Sequence, residues 1–258
     1  MIKRSYNLLT VMGIPIRMHL TLVIALIFFT FSYGLSGFLI AAGVLISVAL
    51  HELGHSWVAI RKGCHVREIM LLPIGGVAKM SNLPSRPADE FLIAAAGPAT
   101  SFILASLLWV LTASDAFVRF FAHLSAINLM LCLFNLLPSF PMDGGRIFRA
   151  FMTPRVGRLK ATELAARIGR VLAVAGGIYG LFNGHFMLMV IAIFIYNAAG
   201  AEYRSVRMEH MRQEWYTVEP QADIHVSPPP YARKAPPFIK NWKRNTNAFF
   251  NDLFKNWN

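Results

Sequence analysis

His51, Glu52 and His55 form an H-E-x-x-H arrangement within the run Val48-Ala49-Leu50-His51-Glu52-Leu53-Gly54-His55-Ser56-Trp57. Side chains four residues apart project from one helix face a turn apart, so both imidazoles can bind one Zn²⁺. Glu52, beside the first ligand, can reach a water on that metal and act as general base in a hydrolysis. The trio sits in the middle of an apolar stretch, where ionisable groups are costly and usually functional. A buried polar trio bonded to neighbouring helices is the plain structural alternative.

A catalytic zinc takes a third protein ligand and keeps one position open. The metzincin extension would need Gly at 58 and His at 61, where the chain has Val58 and Arg61. Glu68, Asp89 and Glu90 follow the charged end of the helix and are too shallow, and Asp115 is expected on the opposite membrane face. Asp143 remains, in Phe134-Asn135-Leu136-Leu137-Pro138-Ser139-Phe140-Pro141-Met142-Asp143-Gly144-Gly145-Arg146. The two prolines stop the preceding helix, and Gly144-Gly145 is expected to supply the backbone freedom that turns the carboxylate toward the metal. An ordinary turn closing a span is the alternative.

The elements that must hold these residues are membrane helices. The chain of 258 residues is 55% hydrophobic and only 15% charged, yet carries a net charge of +12, with a mean hydropathy of +0.48. Soluble chains average about a quarter charged residues, so a disordered chain is excluded and the composition disfavours a cytosolic globule. A nucleic-acid binder would need its basic residues gathered in a patch on a polar surface, and here they are spread around long apolar runs. Such runs need about 20 residues to cross a bilayer. Four are clear, at 18–35, 38–60, 91–113 and 116–137, and two shorter ones, 168–182 and 186–201, form a hairpin about Asn183-Gly184. A re-entrant pair that does not cross is the alternative for the last two. The first run, preceded by Lys3 and Arg4, is read as an uncleaved anchor rather than a signal peptide.

Basic residues stay cytoplasmic. Six spans place three Lys and Arg of the N-terminal segment, five of loop 61–90, seven of segment 138–170 and nine of the tail on one side, leaving Arg119 alone on the other. Both termini are therefore expected in the cytoplasm. Two cysteines, Cys64 and Cys132, offer no disulfide framework. Residues 1–203 are read as the membrane domain and 204–258 as a cytoplasmic tail, a linker with Ser227-Pro228-Pro229-Pro230-Tyr231 followed by Phe250, Leu253, Phe254 and Trp257 at the spacing of an interfacial helix.

With these residues in view, the chain resembles the site-2 proteases, intramembrane zinc metalloproteases, in their compact six-helix form without PDZ or CBS domains. His51-Glu52-Leu53-Gly54-His55 matches that family's H-E-x-x-H, and Asn135-Leu136-Leu137-Pro138 through Asp143-Gly144-Gly145 matches its second motif. Pro73-Ile74-Gly75-Gly76-Val77-Ala78 resembles the glycine-bearing loop after the zinc helix, and Ala96-Gly97-Pro98-Ala99 the A-G-P signature of the third helix. The resemblance covers roughly residues 12–205.

It implies an all-α polytopic membrane fold of about six transmembrane helices, with a small cytoplasmic-side β-hairpin or re-entrant element after the zinc helix. It also implies one Zn²⁺ per chain on His51, His55 and Asp143, Glu52 as catalytic base, and Asn135, Gly75 and Gly76 in substrate binding. The expected reaction is hydrolysis of a peptide bond in or near a transmembrane segment. The expected partners are a single-pass membrane-protein substrate, membrane lipid and a regulatory membrane protein, with no nucleic acid, in a prokaryotic cell membrane with the site toward the cytoplasm. Strands over 64–80 would offer an edge to an unwound substrate; an ordinary hairpin is the alternative. Two other functions compete. A catalytically silent scaffold of the same fold has no need of all four polar site residues, and a transporter with a structural metal would scatter polar groups over several spans.

Overall fold

The structure, a computed structural model, describes residues 5–72, 75–81, 84, 86–113 and 118–217. The expected interfacial helix and proline cluster of the tail, together with Lys3, Arg4, Pro73, Ile74 and Asp115, lie outside these residues. Contacts group Met1–Arg212 as one compact unit and Gln213–Asn258 as another.

The first element is a hairpin of β1 (Ser5–Val11) and β2 (Ile14–His19). Met12 and Gly13 join them, both at positive φ (54° and 79°), the two-residue turn whose twist suits a hairpin. Then comes α1 (Leu20–Arg61), followed by β3 (His65–Leu72) and β4 (Gly75–Ser81). The strands form one sheet in the order β1-β2-β3-β4, with β2 and β3 parallel and Ile16 opposite Ile69.

This pairing constrains α1. A straight helix of 42 residues would be about 63 Å long, but the strand residues flanking it are paired, and the short connections between span at most about 48 Å. The helix must turn back. It does so at Gly34, whose φ of 63° and ψ of −152° belong to a region open only to glycine. Two of the expected spans are therefore one broken helix whose ends share a side with the sheet.

The remaining helices are α2 (Pro87–Leu111), α3 (Val118–Asn135), α4 (Asp143–Val156), α5 (Arg158–Phe182) and α6 (Phe186–Thr217). Among the described residues, five helices are long and apolar enough to cross a membrane: α1, α2, α3, α5 and α6. With α1 counted as two, they carry the six apolar segments expected. The last two are longer than their apolar runs, 25 and 32 residues, because each continues as a polar helix beyond the apolar part.

The hairpin after α1 is found as expected. Two elements were not expected: the N-terminal hairpin, whose strands extend the sheet, and α4, which starts at Asp143. Beneath the sheet, Ile14, Ile16, Val66, Ile69 and Leu71 make a buried cluster with Ala59 of α1. Across the sheet, Glu68 binds Arg17 of β2 at 2.7 Å and Lys79 of β4 at 2.6 Å, tying three strands with one carboxylate. Both cysteines are free and buried.

Candidate metal centre

The second half of α1 presents His51 and His55 one turn apart, both buried, and the first residue of α4 presents Asp143. Nε2 of His51 and Oδ2 of Asp143 are 3.1 Å apart, Nε2 of His55 and the same oxygen 3.0 Å, and the two Nε2 atoms 3.2 Å. The outer nitrogens of the imidazoles are engaged elsewhere. Nδ1 of His55 lies 2.7 Å from the Ile93 carbonyl, and Nδ1 of His51 lies 2.8 Å from the Ser101 hydroxyl. A carbonyl only accepts, so the His55 proton sits on Nδ1 and a neutral ring turns the Nε2 lone pair inward.

Two imidazole nitrogens and a carboxylate oxygen thus converge inside the bundle. Such a triangle is repulsive unless a cation fills it. Tetrahedral zinc with arms of 2.0–2.1 Å has ligand–ligand edges of about 3.3–3.4 Å, close to the three edges observed. The donor set, two nitrogens and one carboxylate oxygen, is that of a catalytic site, and among the described residues it is the one grouping of this kind. The residues fit zinc.

A stripe of α2 shapes this triangle. Ile93, Gly97 and Ser101, at successive turns, supply a carbonyl, an empty place and a hydroxyl. A Cβ on Gly97 would stand 2.6 Å from Nε2 of His51 and would clash harder with Nε2 of His55. Gly54 performs the reciprocal service on α1, since a Cβ there would stand 3.0 Å from the Ala96 carbonyl and collide with the Thr100 hydroxyl. The A-G-P resemblance thereby acquires a physical reason: α2 must approach the metal helix at backbone distance.

Gly144 and Gly145 require a correction. They were expected to provide conformational freedom, but both lie in the first turn of α4 and neither has positive φ. Their role is close packing. A Cβ on Gly144 would meet the Leu136 carbonyl at 2.5 Å, and one on Gly145 the Phe140 nitrogen at 2.7 Å. This seats the start of α4, and with it Asp143, against the 136–140 loop.

Arg149, in the middle of α4, anchors the same helix and was not anticipated. It is 4% exposed, bonds Glu90 of α2 through Nε at 2.8 Å and Glu202 of α6 through Nη1 at 2.9 Å, and lies over the Phe140 ring. Its signal in the sequence was weak, one of seven basic residues in segment 138–170.

Glu52 sits beside the first ligand, and the start of β4 lies directly over it: a Cβ on Gly76 would stand 2.9 Å from Cδ of Glu52 and 3.0 Å from Oε1. Gly75, with φ of 148°, opens that strand. Asn135 ends α3 and donates an amide hydrogen to the Leu131 carbonyl at 3.0 Å; no bond from it to the triangle is recorded. The carboxylates set aside as ligands are engaged away from the site: Glu68 in the sheet, Asp89 with Lys62 at 2.8 Å, and Glu90 with Arg149. His19 caps α1 through Thr21.

A multi-pass bundle that brings two buried histidines and a half-buried carboxylate together around a metal-sized space defines a membrane metalloprotein. A model of peptidase family M50 matches residues 39–116 and 112–176. The chain is 40% identical over 213 residues to a zinc metalloprotease of Methanocaldococcus jannaschii, covering 80% of this chain and 62% of that protein. It is 28% identical over 173 residues to stage IV sporulation protein FB of Bacillus subtilis, covering 66% and 60%. It thus spans about three-fifths of the length of these curated relatives. The solved site-2 protease from Methanocaldococcus jannaschii superposes with a TM-score of 0.63 at 39% identity, over 77% of this chain and 95% of that one. The chain belongs to peptidase family M50, and its fold is that of the site-2 proteases.

Proposed function

We propose that the chain is an intramembrane zinc endopeptidase that cuts a peptide bond in or near a transmembrane segment of another membrane protein. The observation that carries this reading is the convergence of His51, His55 and Asp143 with the Glu52 carboxylate one residue from the first ligand. Names of relatives support it. His51, His55 and Asp143 would hold one zinc per chain, which when bound would polarise the scissile carbonyl and make a bound water more acidic.

The chain's own groups do the rest. Glu52 accepts a proton from the attacking water and returns it to the leaving amine. Ser101 and the Ile93 carbonyl keep the imidazoles in the orientation and tautomer that aim Nε2 inward. A helical substrate must unwind, because its peptide bonds are already bonded. The free edge of β4, the outer strand of the sheet, accepts the unwound segment as an added strand, and Gly75 and Gly76 let it approach Glu52. Asn135, eight residues before Asp143, is assigned to the substrate backbone. The site and both termini are placed on the cytoplasmic side, supported by the distribution of basic residues and by the return of α1 to its own sheet. A single-pass substrate and a regulatory membrane partner complete the proposal.

The silent-scaffold reading has no structural feature in its favour. The test is zinc content and cleavage of a model transmembrane substrate by purified wild type and Glu52→Gln. We expect one zinc in both and cleavage slower by about 10²–10⁴-fold in the variant. Equal cleavage by two zinc-loaded proteins would sink the proposal.

A further inference from the structure

Arg170 of α5 is half-buried, and its Nε is sealed from solvent with no hydrogen-bond partner. Among the described residues no carboxylate, carbonyl or hydroxyl accepts a bond from its guanidinium; its recorded contact is the Tyr196 ring of α6, 5.6 Å away. Buried polar groups are nearly always satisfied, and an orphan calls for an explanation. A second cation stands beside it. A Cβ on Gly200 would be 2.8 Å from Nη2 of Arg170 and 3.4 Å from Nη1 of Arg204, so two like charges lie no more than about 6 Å apart and repel each other. Arg204 has no ion pair among the described residues. Gly200 leaves the space between them open.

The same place is the end of an apolar groove. Between α5 and α6 runs a cleft of about 310 Å³ lined by Ala173, Gly177, Leu181, Met189, Ile193 and Tyr196 among others. On α5 these residues recur every four positions, so the cleft extends about 12 Å from Ala173 toward the helix tip. Tyr196 belongs to both features, lining the cleft and lying under Arg170. Paired cations at the polar end of an apolar cleft, on helices that cross a membrane, are complementary to one class of molecule.

We infer that Arg170 and Arg204 bind the phosphate of an anionic glycerophospholipid whose acyl chain lies in the cleft between α5 and α6. Basic sites between helices at the cytoplasmic side hold such headgroups, and the phosphate supplies the acceptors that Arg170 lacks. Tyr196 forms the floor where headgroup and chain meet. Gly177, where a Cβ would meet only Ala192 at 3.4 Å, keeps the cleft deep enough for the chain. The site is separate from the His51–His55–Asp143 triangle, and the inference needs only that the chain sits in a bilayer.

The test uses the full chain, delipidated in detergent, with native mass spectrometry after titration with phosphatidylglycerol, with phosphatidylcholine of the same acyl chains, or with inorganic phosphate. We expect one phosphatidylglycerol per chain, no retained phosphatidylcholine, and no competition by millimolar inorganic phosphate. Arg170→Gln with Arg204→Gln should weaken phosphatidylglycerol binding about thirtyfold, each arginine being worth somewhat under a factor of ten. Gly177→Leu, which fills the cleft and leaves both arginines in place, should weaken it too. Zinc content, measured in parallel, should be unchanged in all variants and reports that the bundle is intact. Equal retention of the two lipids, wild-type binding by the double variant, or displacement by inorganic phosphate alone would overturn the inference, the last by showing a free-phosphate site instead.

Discussion

Gly97→Ala adds one methyl group and is expected to empty the metal site without unfolding the protein. The new Cβ would stand 2.5 Å from Cε1 and nearer still to Nε2 of His55, and 2.6 Å from Nε2 of His51. Ordinary contacts between such atoms are about 3.5 Å, so either both imidazoles retreat by about 1 Å or α2 withdraws by as much. Metal–ligand distances hold to within about 0.2 Å, so retreat of the rings breaks coordination. Withdrawal of α2 takes away the Ile93 carbonyl and the Ser101 hydroxyl, and losing such supporting bonds costs about 10–100-fold in affinity. Either route gives zinc binding weakened by at least about a hundredfold. Stability without metal should fall only modestly, since the displacement costs about 1–3 kcal/mol and the preference of a helix for Ala over Gly offsets about 0.5–1 kcal/mol of it. The assay is zinc per chain across a chelator titration, paired with thermal unfolding of the apoprotein. A Gly97→Ala protein that holds one zinc with the wild-type chelator midpoint would refute the steric argument.

Other outcomes follow from the same geometry. Gly76→Ala should press on the Glu52 carboxylate, lowering the cleavage rate while zinc content stays at the wild-type level; a fall in both would place β4 against the metal ligands instead. Arg149→Ala leaves Glu90 and Glu202 facing each other without their cation, and breaking a buried pair costs about 3–5 kcal/mol. We expect a matching fall in thermal stability and weaker zinc binding, both recovered in part by Glu90→Gln in the same chain, with differential scanning calorimetry as the check. Lys79 beside Glu68, with Arg17, holds that carboxyl below its usual value of 4.5. The ionised form is therefore the one the folded sheet favours, and its contribution is complete above that value and lost as pH falls through the lower, folded one. The protection of β3 and β4 amides, as observed exchange rates divided by the intrinsic rates at each pH, should be steady from pH 8 to about pH 5, then fall below about pH 4, and Glu68→Gln should abolish that step.

The apolar runs were legible because crossing a bilayer demands length and composition that soluble helices do not show, and the sequence signal for each span is local. H-E-x-x-H was legible for the same reason, since its two ligands lie on one turn of one helix. The N-terminal hairpin was hidden by its shortness and its mixed pattern. Its cue was Met12-Gly13 between Leu8-Leu9-Thr10-Val11 and Ile14-Pro15-Ile16, two β-rich stretches with a glycine-bearing turn. The break at Gly34 was invisible as a reversal because apolar residues flank it on both sides; only the parallel pairing of β2 with β3 shows that the helix must return.

What supports the metal ligands was the least legible part, and the reason is geometric. Ile93, Gly97 and Ser101 act through a carbonyl, an absent side chain and a hydroxyl, none of which marks its residue as chemical, and each matters only because α2 lies at backbone distance from α1. A motif shows which atoms could bind; it does not show what holds them still. Gly144 and Gly145 illustrate the error this invites. Two glycines after a carboxylate suggested a flexible arm, whereas the structure uses them to seat a helix so tightly that a methyl group has no place. Arg149 completes the argument. It reaches carboxylates 59 and 53 residues away, so no local pattern could distinguish it from the solvent-facing arginines around it. Asp143 is aimed by packing at the start and in the middle of α4, and rigidity there, not freedom, makes a carboxylate from a distant segment a metal ligand.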